Sequence, residues 1–229
     1  MARLHPRLCD ALSLLPEDKP VHLLTRHSVR ELAKNGFADY RLPLTEQGIR
    51  MAREWGAQLP RPVSGWYSSP VGRCMDTARY MAEGAAARGL VVDKADIEHA
   101  PVLVEPGCYV EDIGRVGDQF LKLGALRFLN THLQTPFDGM LTPEAGCSKL
   151  AAYLHARDPQ PGSLAVHVTH DTILAVLMAE LQGRDQITEQ DWPWMMEGAW
   201  IWFADGNMHW VWRGERGWRQ FDGSDVSTY

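Results

Sequence analysis

Two segments of this chain share one pattern: a dense apolar run that stops at a histidine and gives way to a polar turn. The first passes through Val21, Leu23 and Leu24 into Thr25-Arg26-His27-Ser28-Val29-Arg30. The second, Ser163-Leu164-Ala165-Val166-His167-Val168, passes into Thr169-His170-Asp171-Thr172 ahead of a helix expected over Ile173 to Leu181. Short, continuously apolar runs of this kind are strands covered on both faces. Open α/β sheets hold their ligands at the carboxyl ends of such strands. Parallel pairing of the two would therefore make His27 and His170 neighbours, with Arg26 and Arg30 beside them.

The remaining elements fit an α/β order. Arg7 to Leu15 reads as a short helix ending before Pro16, and Thr45 as the cap of a helix from Glu46 to about Gln58. Gly65-Trp66-Tyr67-Ser68 is a short strand, after which Ser69 is expected to cap, and Pro70 to open, a helix running to about Ala87. Val91-Val92 and Ile97 to Leu103 read as extended, Glu105 to Gly117 as a loop, and Gln119 to Leu133 as a helix. Another helix is expected from near Pro143 to Asp158-Pro159. In the tail, Ala199 to Phe203 and Met208 to Trp212 flank Asp205-Gly206-Asn207, a hairpin signal. The tryptophans there read as packing, and the hairpin as an edge open to self-association. Neither a repeat nor a linker divides the 229 residues, so one domain is expected.

Charge and cysteine usage narrow the partners. A balance of 29 acidic to 23 basic residues argues against a nucleic-acid or anionic-membrane surface, while leaving room for a local anion pocket. Cys9, Cys74, Cys108 and Cys147 show no Cys-x-x-Cys spacing, so neither a zinc site nor a disulfide framework is signalled. The amino-terminal apolar residues are interrupted by Asp10, and no later run reaches bilayer length. A reduced, cytoplasmic protein is the expectation.

Arg73, in the first turn of the helix after Ser69-Pro70, is a cation where the helix dipole favours an anion. An anion held between Arg73 and the free N–H groups reconciles the two. His22 and His167 lie before the strand ends and read as core or edge histidines. Asp171 reads either as a helix cap or as an acid; the roles are compatible.

Arg26-His27 with Arg30, Leu44-Thr45-x-x-Gly48, Ser68-Ser69-Pro70-x-x-Arg73-x-x-x-Thr77-Ala78 and His170-Asp171 together resemble the histidine phosphatase superfamily, with its phosphoglycerate mutase-like fold. Four motifs in the right order are far more specific than one. The resemblance implies a three-layer αβα sandwich with a mostly parallel central sheet and a small cap inserted at about 101–146. It implies His27 as a nucleophile that forms a phosphohistidine, and Arg26, Arg30, Arg73 and His170 as the phosphate-binding groups. His170 is expected to be protonated beside the dianion.

The Asp after the second histidine is similar to the acid phosphatase branch and makes Asp171 the candidate proton donor. The mutase-like branch draws its acid from a mid-chain glutamate, for which Glu105 and Glu111 are placed. Ser28 stands where the family has Gly, adding a Cβ where the backbone approaches closely. Phe37, Tyr40, Tyr109 and Phe137 are cap residues placed to contact the organic part of a substrate. The expected activity is metal-independent hydrolysis of a small phosphate monoester without a cofactor, since no Asp/His cluster has ligand spacing. A phosphotransferase or mutase, and a non-catalytic phosphate-binding module, remain alternatives.

Overall fold

The computed structural model describes residues 3–32, 40–91 and 96–221; Phe37, Val92 and the Asn35-Gly36 connection lie outside them. In chain order the regular elements are α1 (Pro6–Asp10), β1 (Val21–Arg26), α2 (Glu46–Gly56), β2 (Val63–Ser68), α3 (Gly72–Ala87) and β3 (Ile97–His99). There follow α4 (Ile113–Leu123), α5 (Ala125–Gln134), α6 (Pro143–His155), β4 (Leu164–Thr169) and α7 (Asp171–Leu181), then β5 (Gly198–Ala204), β6 (Asn207–Trp212) and β7 (Glu215–Gln220).

The seven strands form one sheet in the order β3-β2-β4-β1-β5-β6-β7. β1 and β4 pair in parallel from Val21↔Leu164 to Arg26↔Thr169, and β2 pairs in parallel with β4 and β3. Both central strands are buried almost throughout, as their unbroken apolar composition requires. The expected parallel centre is thus β1 to β4, while β5, β6 and β7 add antiparallel pairings on one side. The sheet is mixed. Its outer strand on that side is β7, not the expected hairpin, because β7 pairs along the whole of β6. β7 carries the exposed Trp218.

Helices cover both faces. One core joins Leu8, Met51, Trp55, Cys74 and Met81 from the α1–α3 side to Leu23, Val166 and Trp200 of the sheet. The other joins Phe128, Leu150, Leu154, Ile173 and Leu177 from α5, α6 and α7 to Leu24 and Ile201. The region between β3 and α6 supplies the inserted cover, but not as one loop and one helix. Asp112 caps α4, whose apolar Val116 is buried, and Gly124 at φ 72° separates α4 from α5. Among the described residues no helix is long and apolar enough to cross a membrane.

His22 and His167 are fully buried side by side, as expected of core histidines. His22 Nε2 donates to Asp158 Oδ1 at 2.7 Å, and its Nδ1 faces His167 Nε2 at 3.1 Å. Burial pulls both below the ordinary histidine value, so both are neutral.

α2 and α3 touch through glycine. A Cβ on Gly84 would lie 2.0 Å from the Arg53 carbonyl oxygen, and one on Gly56 would lie 2.0 Å from that of Met81. Alanine gains up to about 1 kcal/mol of helix propensity over glycine, but here it must force two helices apart, at about 1–3 kcal/mol. Gly84→Ala is therefore expected to be net destabilising, read as a lower urea midpoint; an unchanged or raised midpoint would refute the close packing.

Candidate active site

Parallel pairing brings three strand ends to one edge. His27 N donates to the Thr169 carbonyl at 3.0 Å and Ser69 N to the Val168 carbonyl at 2.9 Å, so the residues just beyond β1, β4 and β2 emerge together. His27 and His170 face each other edge to face, ring centroids 5.7 Å apart. Arg73 joins them: its Nε donates to His27 Nε2 at 3.0 Å, and its Nη2 lies 3.2 Å from His170 Nδ1. All three are buried.

The hydrogen bonds fix the tautomers. His27 Nδ1 must carry its proton, because it lies 2.8 Å from the Ser28 carbonyl, an acceptor only. His27 Nε2 is left with the lone pair, directed toward Arg73. The guanidinium can only donate to His170 Nδ1, so His170 Nε2 carries the proton and donates to Ser69 Oγ at 2.9 Å. Ser69 therefore serves His170 and is not the cap of α3, which begins at Gly72 behind Val71 with no side-chain cap.

Both rings are neutral. Burial, then Arg26 and Arg73, hold His27 well below its usual value, and burial with Arg73 pulls His170 down to about 3. The expected protonated His170 is not the state of this geometry, in which a cation donates to it.

Ser28 does not narrow the mouth. It is fully buried; its N–H donates to Thr77 Oγ1 at 3.0 Å and its hydroxyl to the Gly48 carbonyl at 2.8 Å, away from the histidine pair. Thr77 donates in turn to the Arg73 carbonyl at 2.7 Å, tying the His27 loop to the turn that carries Arg73. Gly48 is required because a Cβ there would lie 2.1 Å from the Val29 carbonyl oxygen. Thr45, as expected, caps α2 by accepting from Gly48 N.

The cations differ in commitment. Arg26 pairs with Asp171 at 2.5 Å and donates to the Pro193 carbonyl. Arg30 is half-buried, and its Nη1 donates to the Glu31 carbonyl, outside the histidine pair. Among the described residues, Arg73 Nη1 and Arg26 Nε are buried N–H groups without a partner. Buried donors of this kind on two guanidiniums are chemically suited to receive an oxyanion.

Three carboxylates were candidates for the acid. Asp171 opens α7 behind His170 as N-cap, and it also accepts from Trp192 Nε1 at 3.3 Å. Trp192 was read from sequence only as packing; nothing local marks it as a partner of Asp171. Glu111 is exposed on the connection before α4 and is not brought to the site. Glu105 is: burial first, and the charge of Asp171 second, push its carboxyl up to about 7, against Arg73 and Arg26.

Tyr40 also reaches the site, its ring 5.2 Å from the Arg73 guanidinium carbon and 6.4 Å from the His170 centroid. Tyr109 is buried behind it, its hydroxyl 3.4 Å from Cys147 Sγ. Phe137 stacks on Phe128 within the cover.

Buried neutral histidines make the fold acid-sensitive. His22, His27, His132, His167 and His170 all sit below the ordinary value of 6.5. Their stabilisation is complete above 6.5 and lost as pH falls toward the folded values, about 3 for His170 and about 4 for His132, since the unfolded chain binds those protons first. Glu105 has the opposite sign, its stabilisation complete below 4.5 and lost as pH rises through about 7. The five outweigh the one. Denaturant midpoints are expected to fall between pH 7 and pH 5, with up to about 1.4 kcal/mol per pH unit from each histidine; a flat profile would contradict the burial.

The model of the histidine phosphatase superfamily (branch 1) matches residues 22–101. The match is to branch 1, not to the acid phosphatase branch suggested by His170-Asp171. A phosphoserine phosphatase mutant from Entamoeba histolytica in complex with phosphoserine has a similar structure, with TM-score 0.57, 16% identity, and 91% of this chain and 99% of that chain covered. So have YhfR of Bacillus stearothermophilus (0.54, 20%, 85% and 96%) and phosphoglycerate mutase from Bacillus anthracis (0.53, 16%, 91% and 99%). Among curated proteins no sequence match is found. The model of the histidine phosphatase superfamily (branch 1) thus covers the stretch from β1 to β3 that carries His27 and Arg73, and the likeness to these solved structures extends the shared fold over most of the chain.

Proposed function

We propose that the chain is a metal-independent phosphomonoesterase that works through a phosphohistidine at His27 on a small phosphorylated substrate. The carrying observation is the fixed tautomer of His27: Nδ1 is committed to the Ser28 carbonyl, and the Nε2 lone pair stands beside buried guanidinium N–H groups that have no partner among the described residues. A neutral imidazole is the nucleophilic form. Preorganised donors around it suit the charge that spreads over the equatorial phosphoryl oxygens.

In this reading His27 Nε2 attacks phosphorus in line with the ester oxygen, the P–O bond breaks, and protonated Glu105 gives its proton to the departing alkoxide. Water then attacks the phosphohistidine, Glu105 takes up its proton, and the P–N bond breaks to release phosphate and neutral His27. Arg73 and Arg26 hold the phosphoryl oxygens, and Arg30 adds positive charge from the Arg26 side. A bound dianion opposes the burial that keeps His170 neutral and shifts it toward the imidazolium.

Glu105 suits the acid role because a carboxyl raised to about 7 is still half protonated at neutral pH. Asp171 supports it indirectly, by its negative charge and by engaging Arg26. Hydrolysis is favoured over transfer to a second hydroxyl by the apolar lining beside Glu105, which offers little to hold a polyhydroxylated acceptor. The ground for a non-catalytic module weakens as well, since Ser28 points away from the site.

His27→Ala is expected to reduce phosphate release from p-nitrophenyl phosphate to background; retained activity would end the proposal. Glu105→Gln is expected to cost about 10²–10⁴-fold in kcat/KM on alkyl phosphates, and much less on p-nitrophenyl phosphate, whose leaving group needs no proton. A leaving-group split appearing instead in Asp171→Asn would transfer the acid role to Asp171.

With Glu105 as acid, kcat/KM on alkyl esters is expected to fall as pH rises through about 7. Asp171→Asn should move that limb to lower pH, because it removes a charge that raises Glu105 and frees a cation that lowers it. A limb that stays in place would remove Asp171 from the arrangement.

A further inference from the structure

Next to Glu105 and Thr172 the structure opens into a cavity of about 220 Å³, walled by apolar side chains of α4, α5 and α7, among them Val116, Phe120, Phe128, Leu129 and Val176. Liquid water at about 30 Å³ per molecule would need about seven molecules to fill that space, each with two to four polar partners. The polar side chains lining it are Glu105, Thr172, Tyr40, Tyr109 and His132, and the Tyr109 hydroxyl is already engaged with Cys147. The space therefore favours an apolar occupant over solvent.

His132 gives the occupant a second feature. It projects from the last turn of α5, is fully buried, and neither ring nitrogen has a partner among the described residues. Burial alone pulls it down to about 4, so at neutral pH it is an uncharged ring with one N–H donor and one acceptor. A buried imidazole with both nitrogens unsatisfied is costly; its nitrogens expose almost no surface to the cavity, so a ligand meets it only once the ring turns toward the space. At the outer rim, Ile113 and Leu121 line the same cavity and are 59% and 61% exposed, extending the apolar surface toward solvent.

We propose that this cavity is the leaving-group subsite, that the substrate is the phosphate monoester of a hydrophobic, ring-sized alcohol, and that His132 hydrogen-bonds one polar atom carried on that ring. The proposal rests on the phosphatase reading, because it places the carbon skeleton on the Glu105 side of the phosphoryl group, where the departing oxygen is protonated. His132 is then a specificity-determining residue and takes no part in bond making.

Two substrate series test it, both with alkoxide leaving groups so that leaving-group acidity is held nearly constant. Across ethyl, butyl and hexyl phosphate, wild-type kcat/KM is expected to rise by about fourfold per buried methylene, and glycerol phosphate to lie below them. In the second series, the better of 3- and 4-hydroxybenzyl phosphate is expected to exceed benzyl phosphate by about tenfold, the worth of one buried hydrogen bond. His132→Leu should bring that ratio to one or below, and His132→Gln should restore part of it. A general loss of folding would depress all substrates alike and leave the ratio unmoved.

A flat alkyl series together with turnover of p-nitrophenyl phosphate would overturn the cavity proposal and leave the phosphatase standing. A rising alkyl series with an unchanged hydroxybenzyl ratio in His132→Leu would overturn the role of His132. No turnover of any ester would overturn both readings.

Discussion

The site depends first on the parallel register of β1 and β4. Hydrogen bonding along a parallel pair fixes which residues lie side by side, and the register Arg26↔Thr169 makes the next residues, His27 and His170, neighbours. A shift of one residue would invert every side chain of a strand. The two strands cannot slip, because nearly every side chain on both is buried. Burial, commonly a question of stability, here sets the distance between two imidazoles that are far apart in sequence.

Charge then divides the labour among groups too close to behave alike. Arg73 donates to both rings and so helps to keep both neutral. Arg26 has a carboxylate partner in Asp171, while Glu105 is left half-buried near that carboxylate. Two acids in one site cannot both ionise freely, and Glu105, which has no ion-pair partner among the described residues, takes the higher value. The neutral and charged roles thus follow from who pairs with whom.

Much of this was legible in the chain. Unbroken apolar runs ending in His27 and His170 announced the central strands, and the motif around Arg73 placed a cation at a helix start that lacked an anion. Thr45 was readable as a cap, whereas the close approach at Gly48 was not, since it depends on the Val29 carbonyl from another part of the chain. What was not legible was pairing: Asp171 stands next to His170 in sequence, but its partner Arg26 comes from another strand. Ser69 looks like a helix cap, and its real partner arrives from β4. The cover misled for a local reason. Gly124 turns the chain at positive φ between two amphipathic helices, whereas the stretch Glu105 to Gly117, rich in glycine and charge, masked the start of α4.

The same cover explains why, in the proposed mechanism, nucleophile and acid come from different parts of the architecture. His27, His170 and Arg73 stand on the rigid sheet edge and on α3, locked by Ser28, Thr77 and Gly48 into contacts that leave no room for adjustment. Glu105 comes from the insertion between β3 and α6, the part of the fold that also encloses the apolar cavity. Raising a carboxyl to about 7 takes burial, and the segment that buries it is the one whose side chains would meet the organic half of a substrate. In the proposed mechanism, acid strength and substrate shape are therefore set by one structural unit, and the phosphoryl-binding edge by another.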